Sequence, residues 1–325
     1  MPDASALAID ARRLSRRYTL RDGEIAAVTD LDLKVPAGTI YALLGPNGAG
    51  KTTTISMLTT VVAPSSGTAL VAGYDIEDEP DMVRANIGVT FQDIVLDEDL
   101  TGREVLEIHA RLYRMPTDLR HQRIERLVEL AELGGAIDRW VKTYSGGMKR
   151  RLELIRGLLT GPRVLFLDEP TQGLDPQNRV RIWEYLQTLM RSGVLTVLLT
   201  THSMEEAEAL ADRVGIIDHG RLVVEGAPAE LVTGMGADVI TIRGHGRADD
   251  LVAALRRRPY VQSLLVGRPN GSTDIQIGVD QGNRRLAEIV TIASQDGFAI
   301  EDLSIARPSL GDVFLKYTGR ALRDE

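Results

Sequence analysis

The chain alternates short apolar runs with polar, glycine-containing stretches, and the period of each run indicates the element it builds. "TIYALL" (39–44) is apolar almost throughout, as a strand buried on both faces would be, and "TTTISMLTT" (52–60) continues as a helix. "RVLFLDEP" (163–170) and "VLTVLLTT" (194–201) repeat the pattern of a buried strand that ends in polar groups. Met148, Leu152, Ile155 and Leu159 recur at helical spacing behind Ser145, a residue suited to cap a helix. "TGREVLEIHARLYRM" (101–115) and "HQRIERLVELAEL" (121–133) read as amphipathic helices, with Leu127, Leu130, Ala131 and Leu133 among the apolar positions of the second.

The pattern changes after "HGRLVVEGAPAELV" (219–232), where the glycines of "TGMGAD" mark a linker. "DVITIR" (238–243) alternates as a strand and is followed by a helix over 247–257. "VQSLLVG" (261–267) and "STDIQIGV" (272–279) are strands joined by the turn residues "RPNG". A helix over 283–294 and the strand "FAIEDLSIA" (298–306) complete a β-α-β-β-α-β order, which predicts a small ferredoxin-like α+β layer. In "RPSLGDVFLKYTGR" (307–320), Ser309 with Asp312 three residues on predicts the start of a last helix.

Composition refines this division. A length of 325 residues exceeds what one core usually holds, so two domains are expected, at 1–232 and 238–325. Hydrophobic residues make up 43% and charged ones 26%, an ordinary soluble balance, and no apolar run approaches the roughly eighteen residues of a membrane span. "MPDASALAID" lacks the basic and then apolar order of a secretory leader. The absence of cysteine excludes disulfides and thiolate metal sites and accords with a cytoplasmic location. A net charge of −8 argues against a nucleic-acid surface.

The chemistry sits where the strands end. Gly45, Pro46, Asn47, Gly48, Ala49, Gly50, Lys51 and Thr52 match G-x-x-x-x-G-K-[ST], the phosphate-binding loop, with Thr53 next in the helix. Gly45, Gly48 and Gly50 are expected to permit the backbone angles that aim N–H groups inward as an anion nest, to which the helix N-terminus adds its own. Lys51 would reach the β- and γ-phosphates and the Thr52 hydroxyl would ligate Mg²⁺. Asp168 is placed to hold Mg²⁺, usually through water, and Glu169 to orient and polarise the attacking water. Two acids after a strand are commonplace; Lys51 gives these two their meaning.

Between those elements lies "TYSGGMKRRLELIRG" (143–157), and with it the chain resembles the nucleotide-binding subunit of an ABC transporter. Ser145, Gly146 and Gly147 match the family signature LSGGQ, with Tyr144 and Met148 standing where the family has Leu and Gln. In motif order the resemblance covers roughly residues 8 to 230. It implies an α/β P-loop NTPase core with a helical subdomain at about 93–160. It also implies that Tyr18 stacks on adenine, and that Gln92 contacts Mg²⁺ and the nucleophilic water while opening the loop that faces a membrane partner. Asp175, in "GLDP", is expected to cross a dimer interface, and His202 to contact the γ-phosphate. Ser203 and Glu206 read as a capping box that fixes the corner after His202. His109, His121, His219 and His245 read as surface or structural residues.

The same resemblance implies ATP as ligand, and a homodimer or a heterodimer with a similar ATPase in which each ATP lies between the Lys51 loop of one subunit and the Ser145 helix of the other. A separate polytopic permease would hold the dimer at the inner face of the cell membrane and dock on the helical subdomain. The alternative reading of that subdomain is an insertion packed for stability. The C-terminal stretch and "YSGGM" resemble ATPases of the daunorubicin-resistance type, whose C-terminal modules support dimerisation or regulation. The expected function is therefore that of an exporter ATPase for a drug or other hydrophobic compound, with a non-transport ABC ATPase acting on the ribosome or DNA as the alternative. Only 94 positions separate Lys51 from Ser145, with no heptad run, unlike the coiled-coil members of that alternative class.

Overall fold

Two long strands that the periodicity did not reveal begin the fold, β1 (Leu7–Leu20) and β2 (Gly23–Pro36), paired antiparallel. Along β2, Val28, Leu31, Leu33 and Val35 are buried while Asp30, Asp32 and Lys34 are exposed. Along β1 the register shifts between Ala11 and Leu14 and twice more before Arg17, so no single alternation runs its length. The computed structural model describes residues 7–20, 23–191, 193, 195–234, 238–267, 273–306 and 308–318. "RPNG", the centre of "TGMGAD" and both ends of "RPSLGDVFLKYTGR" lie outside the described residues.

The chain crosses to a second sheet through β3 (Ile40–Leu44), whose five residues are all buried, and enters α1 (Lys51–Leu58). It returns to the first sheet as β4 (Ser66–Val71) and β5 (Tyr74–Asp75), giving the order β2-β1-β4-β5. After α2 (Pro80–Asn86) and β6 (Ile87–Thr90) come three mutually packed helices, α3 (Gly102–Leu112), α4 (Thr117–Leu130) and α5 (Gly146–Leu158). A full capping box between Thr101 and Glu104 starts α3. α4 begins four residues earlier than its pattern suggested and turns Ile124 and Val128 inward, leaving Leu127 and Leu130 half-buried. In α5, Leu152, Ile155 and the following Leu159 are buried, but Met148 is only half-buried.

β7 (Val164–Asp168), α6 (Pro176–Met190), β8 (Thr196–Thr201), α7 (Met204–Leu210), β9 (Arg213–Asp218) and β10 (Arg221–Gly226) follow. The second sheet has the order β10-β9-β3-β8-β7-β6, parallel except for the edge strand β10. β7 and β8 are buried along their whole length, as central parallel strands are. One core joins both sheets to α1 through residues such as Ile9, Leu33, Leu58, Phe166 and Leu198. No helix among the described residues is long and apolar enough to cross a membrane.

A second unit begins at Ala229, within α8 (Pro228–Thr233). β11 (Asp238–Gly246), α9 (Ala248–Arg256), β12 (Val261–Gly267), β13 (Thr273–Val279), α10 (Gly282–Gln295) and β14 (Phe298–Ala306) follow the β-α-β-β-α-β order expected. The sheet order is β12-β13-β11-β14, antiparallel throughout. Leu251 and Leu255 of α9 and Ile289 and Ile292 of α10 pack with Ile240, Ile242, Ile275 and Ile277, forming a separate core. Reciprocal bonds between Ser309 and Asp312 start α11 (Leu310–Thr318).

Candidate functional site

Four neighbouring parallel strands end at one edge of the six-stranded sheet, where ligands of such sheets gather. β3 leads into loop 45–50, β6 to Gln92, β7 to Asp168 and Glu169, and β8 to His202. Gly45 N–H donates to Thr201 O at 3.2 Å, tying the loop to the residue before His202. Gly48 (φ 77°) and Gly50 (φ 106°) lie in the left-handed region, as an anion nest requires. Gly45 does not, which corrects the expectation for it: its demand is for space, because a Cβ there would lie 2.4 Å from Ile217 O. Pro46 is half-buried, Asn47 exposed and Ala49 buried, with Ala49 O accepting from Gly220 N–H at 2.9 Å. In the first turn of α1, Thr52 is exposed and Thr53 half-buried.

Lys51 is folded back under this loop. Its Nζ donates to Gly45 O (2.7 Å) and Pro46 O (3.1 Å) and lies 3.1 Å from Glu169 Oε1. The other oxygen of Glu169 is 3.0 Å from His202 Nδ1. Burial pushes the Glu169 carboxyl up, but the His202 hydrogen bond and the Lys51 charge together outweigh it and hold the group below its usual range. Glu169 is therefore an ionised, fixed acceptor at neutral pH. Its backbone is unusual as well, with φ at 47°, costly for a residue carrying a Cβ.

Asp168 is wholly buried. Thr200 Oγ1 donates to its Oδ1, and the same hydroxyl accepts from Glu169 N–H at 3.1 Å. Among the described residues, Asp168 Oδ2 has no hydrogen-bond partner. A buried, unpartnered carboxylate oxygen fits a cation or a cation-bound water. Among the described residues no cluster of three or more His, Cys, Asp or Glu side chains could hold a metal alone. Asp168 and the Thr52 hydroxyl suit an ion that takes its remaining ligands from phosphate and water, as Mg²⁺ does.

The other expected residues are placed less directly. The Gln92 side-chain amide donates to Gln172 Oε1 at 2.6 Å, and Gln172 N–H closes a turn onto Glu169 O at 3.2 Å. Gln92 thus meets the turn that carries Glu169. Tyr18 pairs across β2 with Ile25, and the Arg16 guanidinium lies 4.7 Å from its ring centroid. The same strand approaches the phosphate loop, since a Cβ on Gly50 would lie 2.5 Å from Ala27 O. The capping box after His202 forms only by half: Ser203 accepts from Glu206 N–H, but the Glu206 carboxylate takes Thr171 Oγ1 and Trp183 Nε1 instead.

Ser145, Gly146 and Gly147 take no part in the Lys51 cluster. Ser145 caps α5 by accepting from Met148 N–H at 3.3 Å, and both it and Gly146 are exposed. Gly147 is buried against α6, where a Cβ would lie 2.5 Å from Asn178 Oδ1. Asn178 is in turn bound to Asp175, which caps α6 by accepting from Asn178 N–H (3.0 Å) and Nδ2 (2.6 Å). Two helix N-termini thus open side by side. Sequence reasoning missed Thr200, Gln172 and Asn178, because each earns its place from pairing between distant segments, as in the Asp168–Thr200 register.

Comparison with known proteins agrees with this geometry. Residues 28–172 match the family described as ABC transporter. The chain is 43% identical to the daunorubicin/doxorubicin resistance ATP-binding protein DrrA of Streptomyces peucetius, over 92% of this chain and 89% of the relative. It is 41% identical to the Nod factor export ATP-binding protein I of Ralstonia nicotianae, over 96% and 94%. Among solved structures, the dimeric bacterial ABC transporter cassette MJ0796 superposes with a TM-score of 0.62 at 25% identity, covering 67% of this chain and 98% of that one. On its phosphate loop, its paired carboxylates and this similarity over nearly its whole length, the chain belongs to the family of ABC transporter ATP-binding proteins.

Proposed function

We propose that the chain binds and hydrolyses ATP as one half of a head-to-tail dimer, and drives export of a hydrophobic, drug-type compound through a separate membrane subunit. The observation that carries this reading is the buried pair Lys51 and Glu169, held by the half-buried His202, beside the unpartnered oxygen of Asp168.

In this reading the N–H groups of loop 45–50 and Lys51 hold the β- and γ-phosphates, and Tyr18 receives the adenine. Asp168 and Thr52, with Gln92 at the adjacent turn, would hold Mg²⁺, which would supply neutralisation of phosphate charge when bound. Glu169, ionised and fixed on both sides, accepts a hydrogen bond from the attacking water and orients it. His202 positions Glu169 through Nδ1 and is placed to meet the terminal phosphate. Lys51 must exchange its Glu169 contact for phosphate oxygens, so substrate binding and release of the carboxylate are linked.

Ser145, Gly146 and Asp175 are exposed, with Gly147 packed on α6 behind them, and none of the four bonds to the Lys51, Glu169 and His202 set among the described residues. They suit the phosphates held by a second copy, and ATP bridging both halves would shift the population toward the closed dimer. The dimeric state of the similar cassette supports this arrangement.

The route to the membrane subunit is supported by an apolar surface beside Gln92. Two adjoining hollows, of about 260 and 290 Å³, share His109 and Arg156 and include the exposed side chains of Phe91, Val95, Leu112 and Tyr113. Clustered exposed apolar groups suit a helix docked from a partner. The drug-type cargo rests on the names of the resistance and export relatives. We assign 1–232 to the nucleotide-binding domain and 238–325 to dimer support, at the cytoplasmic face of the membrane.

Purification of the tagged chain from detergent-solubilised native membranes tests the whole reading. A stoichiometric polytopic partner and Mg²⁺-dependent ATP turnover are expected. Recovery with ribosomes, DNA or no partner would leave the ATPase and overturn the transport function.

A further inference from the structure

We propose that Arg150 is a positioning residue for hydrolysis: it fixes the turn carrying Glu169 to the segment that follows β6, through the helix that begins at Ser145. This rests on the role of Glu169 proposed above.

Arg150 lies in the second turn of α5 with 3% of its side chain exposed. Its guanidinium has five N–H donors, and the structure gives five acceptors. Nε donates to Pro170 O (2.7 Å), and Nη2 to Asp168 O and Glu169 O (3.1 Å each). Nη1 donates to Phe91 O (2.8 Å) and Glu153 Oε2 (3.0 Å). Three successive carbonyls around the catalytic carboxylates are thus satisfied by one side chain, which also holds the residue before Gln92.

The grip on that segment is extended by the next turns of α5. Glu153, with 1% of its side chain exposed, accepts from Val95 N–H at 3.2 Å, and Arg156 donates to Val95 O at 2.9 Å. The Gln92–Gln172 bond and the Glu169–Gln172 turn close a ring through Arg150.

Glu169 needs such a clamp because its φ of 47° is costly, and the direction of its carboxylate follows from that backbone. Thr200 pins its N–H and Arg150 its C=O. Lysine, with three donors on one atom, cannot serve five acceptors spread around a planar fork. The phosphate loop and Lys51 make no bond to Arg150, so loss of the clamp should disturb Glu169 and spare ATP binding.

The test compares Arg150→Lys, Glu169→Gln and the double variant in the full chain, reading ATP affinity, kcat and residual single-turnover rate. Arg150→Lys is expected to bind ATP within threefold of wild type and to lose about tenfold or more in kcat. Added to Glu169→Gln, it should cost nothing further, because the residue it positions is already disabled. A kcat within twofold of wild type, parallel losses of kcat and ATP affinity, or an additive loss in the double variant would each overturn the proposal. If Glu169→Gln itself turned over normally, the role of Glu169 would fail first. Should Arg150→Lys not fold, Glu153→Gln decides: it keeps the side-chain shape and removes the charge facing Arg150. Lower kcat at unchanged ATP affinity supports the clamp, and unchanged kcat overturns it.

Discussion

Lys51 Nζ and Glu169 Oε1 lie 3.1 Å apart, with 5% and 6% of their side chains exposed. A buried ion pair is sustained only where further bonds satisfy both groups. Here Gly45 O and Pro46 O serve the lysine and His202 serves the carboxylate. The phosphate-binding and water-orienting groups are therefore one electrostatic unit.

Glu169→Gln should separate their roles. The amide keeps the shape but removes the charge that orients water, so turnover should fall by about a hundredfold or more while ATP still binds. Trapping of a dimer by ATP, read by size-exclusion chromatography, should accompany the loss. Rapid turnover by this variant would refute the assignment.

Asp168→Asn replaces the unpartnered oxygen or its neighbour with an amide that repels a cation. Mg²⁺ should strengthen ATP binding to the wild type and have little effect on the variant. Titration calorimetry with and without Mg²⁺ checks this, and an undiminished Mg²⁺ effect would remove Asp168 from the metal site.

Gly147→Ala would place a Cβ 2.5 Å from Asn178 Oδ1, a side chain bonded to Asp175. The displacement disturbs both helix N-termini at once. ATP affinity of the single chain should stay within about threefold and ATP-dependent dimerisation should be lost, since only the second requires the Ser145 face. Loss of ATP binding by the single chain would contradict this division.

Burial, aided by the Arg156 charge, pulls His109 from 6.5 to about 4. Below pH 6.5 the unfolded chain takes up a proton that the folded chain refuses, so stability should decline as pH falls from 6.5 toward 4 and the decline should then level off. Allowing for partial exposure of the ring, the loss should be about 1 kcal/mol. Denaturant unfolding of His109→Gln should show a shallower decline over the same window, and an equal decline would exclude His109 as its source.

Leu112 is 74% exposed and lines the second hollow, which includes none of Lys51, Asp168, Glu169 and His202. Leu112→Glu should leave the ATP turnover of the isolated chain unchanged and reduce recovery of the membrane subunit. Undiminished recovery would move the docking surface elsewhere.

Much of this was written locally. The loop at 45–52 was legible because glycine, lysine and threonine at fixed spacing have few other uses, and β3, β7 and β8 because strands buried on both faces must be apolar throughout. The second unit was legible from its linker glycines, the turn residues between its strands and the alternation of β11, whose Ile240 and Ile242 turn to a small core of its own. β1 was hidden by its bulges, and the inward face of α4 by leucines that flank the contact without filling it.

The sequence by itself determined the buried strands that end at the site, the β-α-β-β-α-β order after residue 238 and the identity of the phosphate loop, because propensity, periodicity and turn chemistry act over a few residues. Tertiary structure alone decided that Lys51 pairs with Glu169, that Thr200 supports Asp168, and that Glu206 leaves its expected cap for Thr171 and Trp183. Those contacts depend on which strands lie side by side and in which register. A shift of one residue between β7 and β8 would turn Thr200 away from Asp168, because neighbouring side chains on a strand point to opposite faces.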